Sequence, residues 1–382
     1  MLRRKSVRFL AGLTAVLALG LLAGCGGGSA PAPTAKPAAE APKAAEPAKA
    51  ADTAAQAPTA VPVAQTGAAK GYFDGKTINV IVPNSPGGGI DTMARYTAPY
   101  LKKYSGAKDV IVNNVVGAAG IKGVNQLATS KPDGLTIAFS SVVTMTLQQL
   151  SGQEGVQFDA TKFNYLGRVF TEPRVLMAPT KGKIQSMDDV LKLGRPVVMP
   201  IQGLDDDFLS TTVIAKLTGF QIKAITGYSA QAEVFLAALR GEGELATTGV
   251  QTAAPMVKQG DYKVILVNGG ARAKDYPDVP TAIEIQKNDD AKNTMKAIAN
   301  LIDLHMSYYA PSGVDPKVLA ELRDITTKAL TDKEAVDNVK AKTGGRDIMY
   351  MSGEDEQKAV QQVTAEAQKI APILKAGVES VK

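Results

Sequence analysis

Thr77-Ile78-Asn79-Val80-Ile81-Val82 runs directly into Pro83-Asn84-Ser85-Pro86-Gly87-Gly88-Gly89-Ile90-Asp91, and these two stretches decide the fold. The first is rich in β-branched residues and reads as a strand; the glycines after it mark a turn into a helix. From 90 to 104 the apolar residues recur at helical spacing. Val110-Ile111-Val112 then reads as a strand, 121–128 as a helix and 135–139 as a strand. This βαβαβ rhythm predicts an α/β domain with a mostly parallel sheet.

Toward the C-terminus the rhythm continues. Strands are predicted at 175–178, 196–199, 222–225, 244–247 and 263–267, and helices at 208–217 and 232–239. Ser186 with Asp189, Asp315-Pro316, and Thr331 with Glu334 read as helix starts. Ser352 is expected to open one long helix to about residue 376. Roughly 310 residues of such pattern exceed one comfortable core, so two α/β lobes are expected.

Toward the N-terminus, Arg3, Arg4, Lys5 and Arg8 precede an uncharged run at 9–23 that ends Leu22-Ala23-Gly24-Cys25. That run suits a secretory signal and is short for a membrane-spanning helix. Small residues before the only cysteine resemble a bacterial lipobox. Residues 1–24 are therefore expected to be a signal peptide, and Cys25 a lipidated anchor to a membrane. Residues 25–70 read as a disordered tether: 29–70 hold 18 Ala and 7 Pro and no Leu, Ile, Met, Phe or Tyr. Such a coil spans roughly 35–40 Å.

The net charge of +6 suggests nucleic acid until its location is considered. Leader and tether carry eight basic and three acidic residues, leaving 35 Lys/Arg against 34 Asp/Glu in the folded part. No nucleic-acid partner is expected. One Cys and one His exclude a disulfide framework and multi-His or Cys-rich metal sites, so neither metal nor cofactor is expected.

Three stretches could carry chemistry. The loop at 83–91 brings backbone N–H groups to a helix start, which suits an anion. It lacks the spacing of a dinucleotide fingerprint, because Asp91 follows Gly87-Gly88-Gly89 at once. Asn113-Asn114-Val115-Val116-Gly117-Ala118-Ala119-Gly120 repeats the strand–turn–helix arrangement. Lys131-Pro132-Asp133-Gly134 precedes a strand ending in Ser140-Ser141, whose hydroxyls can bond a ligand or cap the next helix. The only histidine is His305 and nothing matches G-x-S-x-G, which disfavours a hydrolase.

In order and spacing, these stretches resemble the substrate-binding proteins of tripartite tricarboxylate transporters, the Bug family. Val82-Pro83, Gly87, Gly88, Gly89, Asp91 and Arg95 match its first segment; Asn114, Gly117, Ala118 and Gly120 its second; Pro132, Asp133, Gly134 and Thr136 its third. Pro277-Asp278-Val279-Pro280-Thr281 with Glu284, and Ala310-Pro311-Ser312-Gly313, match two later ones. The resemblance implies a two-lobed, clam-like periplasmic-binding-protein fold of type II. Lobe 1 is expected at 75–178 plus 305–382 and lobe 2 at 179–304. It implies a carboxylated small molecule held in the cleft by backbone N–H groups, hydroxyls and waters. Asn84, Ser85, Gly87, Gly88, Asp91, Gly117, Ala118, Ser140 and Ser141 would bind from one lobe. Gln202, Gly203, Asp206, Tyr228, Ser229, Thr247 and Thr248 would bind from the other.

This chain departs from the family at Leu204-Asp205-Asp206-Asp207, where small polar residues are usual. These carboxylates can cap a helix. Facing the cleft, Asp206 would repel a carboxylate and favour an amine or cation. His305 and the Tyr308-Tyr309 pair are expected to be structural. The implied function is capture of a small organic carboxylate outside the cytoplasm and delivery to membrane permease subunits, by a monomer without covalent chemistry. The alternatives are a sensing receptor feeding a signalling partner and an extracytoplasmic hydrolase.

Overall fold

The structure, a computed structural model, describes residues 71–381. The segments expected to be the signal peptide, the lipidated Cys25 and the tether lie outside the described residues. Strand β1 (Thr77–Val82) turns through the glycine loop into α1 (Gly89–Ser105). β2 (Asp109–Asn114), α2 (Ile121–Ala128), β3 (Thr136–Ser141), α3 (Val142–Leu150) and β4 (Asn164–Phe170) follow. β1 pairs in parallel with β2 and β3, as βαβ connections require.

After β4 the chain crosses to a second sheet. β5 (Arg174–Pro179) leads through α4 (Met187–Leu191), β6 (Val197–Pro200), α5 (Asp206–Thr218), β7 (Ile222–Ile225), α6 (Gln231–Leu239), β8 (Ala246–Gly249), α7 (Val250–Lys258), β9 (Tyr262–Asn268) and α8 (Asp289–Ile302). β5 lies between β8 and β9, antiparallel to both, while β6 pairs in parallel with β7. β5 thus belongs to the second sheet, although 175–178 was expected to end the first lobe. The crossing falls at Thr171, Glu172 and Pro173, between β4 and β5.

The chain returns as β10 (Met306–Ala310), which inserts between β3 and β4, antiparallel to both. α9 (Pro316–Thr331), α10 (Lys333–Lys342), β11 (Met351–Ser352), α11 (Gly353–Ala367) and α12 (Ala371–Glu379) complete the chain. The first sheet has the order β11-β4-β10-β3-β1-β2. The expectation of a mostly parallel sheet therefore fails, since each strand that enters or re-enters at a crossing runs against its neighbours.

Ser186, Asp315 and Ser352 cap their helices through side-chain oxygens. Thr331 does not start α10. It ends α9, bonding back to the Thr327 carbonyl at 2.7 Å, and the Asp332 carboxylate caps α10 by accepting from the N–H of Glu334 at 2.7 Å and of Ala335 at 3.2 Å. The final helix is not continuous. A short 3₁₀ turn at Gln368–Ile370 divides it just before Pro372, which cannot donate to the helical ladder. Beyond that break α12 packs on α5 of the second lobe: a Cβ at Gly377 would lie 2.9 Å from Thr212. The C-terminus thus reaches outside the lobe expected for it. Among the described residues no helix is long and apolar enough to cross a membrane.

Tyr308 and Tyr309 are fully buried on β10. Their side chains point to opposite faces, and each hydroxyl finds a partner: Tyr308 with Thr97 at 2.6 Å, Tyr309 with Ser140 at 2.5 Å. The pair anchors the return strand in the core.

Candidate functional site

The residues singled out in the sequence lie after β1 and β2 and at the end of β3 in the first lobe, and after β6 and β7 and on β8 in the second. In the first loop Ser85, Gly87 and Gly88 are exposed and Asn84 is half-buried. Asp91 is buried beneath them rather than presented outward. Its carboxylate accepts from the Gly87 N–H at 2.8 Å, from Arg95 at 3.0 Å and from Asn114 at 2.8 Å, while Asn114 also donates to the Asn84 carbonyl at 2.9 Å. Burial raises the Asp91 pKa, but these hydrogen bonds outweigh it and the net shift is downward. Asp91 therefore holds the first and second loops together and is a positioning residue.

The second loop is strained. Ala118 and Ala119 both have left-handed backbone, φ 48° and 52°, a region costing an L-residue roughly 1–2 kcal/mol. The Ala119 carbonyl takes a hydrogen bond from Gln148 at 3.0 Å, and the same amide donates to the Leu204 carbonyl of the second lobe at 3.2 Å. A Cβ at Gly203 would lie 3.4 Å from that of Ala119, so the small residue lets the two lobes approach closely. Replacing Ala118 and Ala119 together with Gly should relieve the strain and stabilise the protein by about 1 kcal/mol. An unchanged or lower urea midpoint would argue against that strain.

Ser140 and Ser141 are both buried and already bonded. Ser140 meets Tyr309, and Ser141 caps α3 by accepting from the Thr144 N–H at 3.1 Å. Thr144 Oγ1 then reaches Asp206 of the second lobe at 2.5 Å. Thr247 and Thr248 lie opposite Leu176 and Val175 on β5, and so on opposite faces of the sheet. Thr247 faces α5, where it meets Thr211 at 3.3 Å. Gln202 donates to the Ser229 carbonyl at 3.1 Å. Tyr228 and Ser229 bond to Glu242 and Glu233 within their own lobe.

The three aspartates have separate tasks. Asp205 caps α5, accepting from the Phe208 N–H at 3.1 Å. Burial and the neighbouring Asp206 charge push its pKa up to about 7. Asp206 is 5 % exposed and bonded directly to the Arg174 guanidinium, whose Nε lies at 2.8 Å. Burial raises the Asp206 pKa, but Arg174, His305 and Thr144 overcome this and bring it down to about 2. Asp207 lies 3.4 Å from Arg174 Nε, and burial pushes its pKa well up. The Asp206 charge is thus neutralised within the protein instead of being offered to a ligand.

Arg174 was not expected at this site. It follows the outgoing crossing and also bonds His305, at the returning crossing, over 2.9 Å. A guanidinium only donates, so His305 Nε2 accepts and the neutral ring carries its proton on Nδ1. Burial first, and the Arg174 charge second, depress the His305 pKa to about 3. Thr171 Oγ1 donates to the Ile302 carbonyl at 3.1 Å, a second tie between the crossings. The only hint of this network in the sequence was the run of three carboxylates, which needs a cation if buried.

The comparisons with known proteins agree with this geometry. The family model described as "Tripartite tricarboxylate transporter family receptor" matches residues 93–377. Protein BugT of Bordetella pertussis is 26% identical over 274 residues, covering 69% of this chain and 79% of that protein. The structure of the periplasmic binding protein BugD superposes with a TM-score of 0.62 at 21% identity, covering 79% of this chain and 97% of that one. MatC from Rhodopseudomonas palustris, with bound malate, gives a TM-score of 0.61 at 19% identity, covering 78% and 99%. The fold is the two-lobed one of periplasmic binding proteins, and the chain belongs to the tripartite tricarboxylate transporter receptor family.

Proposed function

We propose that this protein is an extracytoplasmic receptor that captures a small organic carboxylate between its lobes and delivers it to the membrane permease of a tripartite tricarboxylate-type transporter. The observation that carries the reading is the facing of the two lobes at the candidate site, with hydrogen bonds Gln148–Leu204 and Thr144–Asp206 and with Gly203 close enough to Ala119 that a Cβ there would touch it. The first loop opens α1, whose N-cap Gly88 makes no side-chain cap, and the first N–H groups of that helix suit a carboxylate. The MatC structure, with malate bound, shares the fold and supports the ligand class. On this reading Ser85, Gly87, Gly88, Gly117 and Ala118 touch the ligand from the first lobe. Gln202, Gly203 and Thr247 do so from the second. Lobe closure is a ligand-shifted equilibrium and needs no covalent step. Lipidation of Cys25 would anchor the protein, with the tether extending the lobes from the membrane.

A thermal-shift screen of mono-, di- and tricarboxylates tests the reading. An acid present at 100 times its dissociation constant should stabilise the protein by about 2.7 kcal/mol. Absence of a shift with every acid would contradict it.

A further inference from the structure

We propose that Arg346 is a specificity residue of the cleft. Its guanidinium binds the ionised carboxylate of the ligand beside the first loop and, through Thr252, couples that binding to closure of the second lobe. The proposal rests on the carboxylate reading above.

Arg346 follows α10 in a turn built by Thr343, Gly344 and Gly345. Both glycines have left-handed backbone, φ 72° and 105°. The Gly345 N–H donates to the Lys340 carbonyl at 2.9 Å, and the Arg346 N–H to Thr343 Oγ1 at 3.2 Å. The turn therefore aims the arginine from a fixed backbone. Its side chain is 15 % exposed and its guanidinium carbon sits 5.4 Å from the Phe170 ring centre. Nη2 donates to Thr252 Oγ1, on α7 of the second lobe, at 2.6 Å. Nη1 lies 3.3 Å from where a Cβ would stand at Gly89, the first residue of α1. One guanidinium therefore adjoins the glycine loop of one lobe while bonding the other.

Its charge is also the least committed of the three arginines at the site. Arg95 is bonded to Asp91, and Arg174 to Asp206. The one carboxylate within 4 Å of Arg346 among the described residues is Glu172, at 3.9 Å. That separation is beyond hydrogen-bond reach, and the other Glu172 oxygen accepts from the Gln251 N–H at 2.8 Å. A planar fork with N–H groups to spare, beside the start of α1 that no side chain caps, is suited to a carboxylate and not to a neutral group.

The test is isothermal titration of the full chain with malate, adipate, citrate, succinate and benzoate. For the acid that wild type binds most tightly, Arg346→Gln should weaken binding by about 30-fold or more. Arg346→Lys should recover part of the loss, and Thr252→Val should cost less than Arg346→Gln. The uncharged amide of that acid should bind wild type and Arg346→Gln alike. An acid affinity in folded Arg346→Gln within about threefold of wild type overturns the role of Arg346 and leaves the carboxylate reading intact. Wild type binding none of the acids overturns both. Should Arg346→Gln not fold, wild-type affinity in both Arg346→Lys and Thr252→Val overturns the proposal.

Discussion

Arg174→Met should destabilise the protein by about 3–5 kcal/mol, the loss expected when one partner of a buried ion pair is removed. The variant leaves Asp206 buried without its cation, and it also removes the donor to His305 that joins the two interlobe crossings. Adding Asp206→Asn should recover much of the loss, because the stranded charge is gone. In a double-mutant cycle the two substitutions should therefore be far from additive. Additive effects, or a single-variant loss under about 1 kcal/mol, would mean that the pair is not the buried tie described here. Wild-type stability should also decline in acid. Asp206, with its pKa lowered to about 2, contributes stability that is present above the ordinary aspartate value and is lost as pH falls through about 2. His305, neutral when folded, adds a loss that grows from about pH 6.5 downward to about pH 3, where the folded ring is protonated too.

Glu356→Gln should stabilise the protein by roughly 3–5 kcal/mol at pH 8.5 and hardly at all at pH 4. Glu356 lies on α11, fully buried, where it accepts from the Ser307 hydroxyl on β10. Burial outweighs that bond and the Arg168 charge, and pushes its pKa up to about 8. The sign follows from where the proton is held. Between about pH 4.5 and 8 the folded protein keeps the proton that the unfolded chain has lost, so wild-type stability falls as pH rises. Glutamine keeps the shape and has no proton to lose. Urea unfolding of both proteins at the two pH values measures the difference; equal pH slopes would show that Glu356 is not the group responsible.

Much of the first lobe was legible in the sequence because its elements are local. β1 and α2 occur at the predicted bounds, and Ser186, Asp315 and Ser352 cap as their side-chain chemistry predicts. Strand direction was not legible, because period-two burial is the same in parallel and antiparallel strands. β4 escaped notice because Gly167 and Arg168 interrupt its apolar run. Neither did the pattern of Thr331 and Glu334 reveal that Asp332 has the better acceptor.

The loops of the site were legible as glycine-rich turns after strands. Their partners were not, because the contacts join distant parts of the chain. Thr144 and Asp206 are separated by 62 positions, Arg346 and Thr252 by 94, and Arg174 and His305 by 131. Asp206 illustrates the limit. Its place at a helix start fitted a cap or a ligand contact, and nothing in the sequence pointed to an ion pair with Arg174. The fold places Arg174 against it and assigns the cap to Asp205.

On the proposed function, one ligand is gripped by loops from both lobes. Hydrogen–deuterium exchange with and without the tightest-binding acid tests it most directly. New protection is expected in 83–89 and 115–120 together with 201–207 and 247–252, that is, on both sides of the cleft. Protection confined to one lobe, or absent from all four segments while the acid is bound, would contradict it.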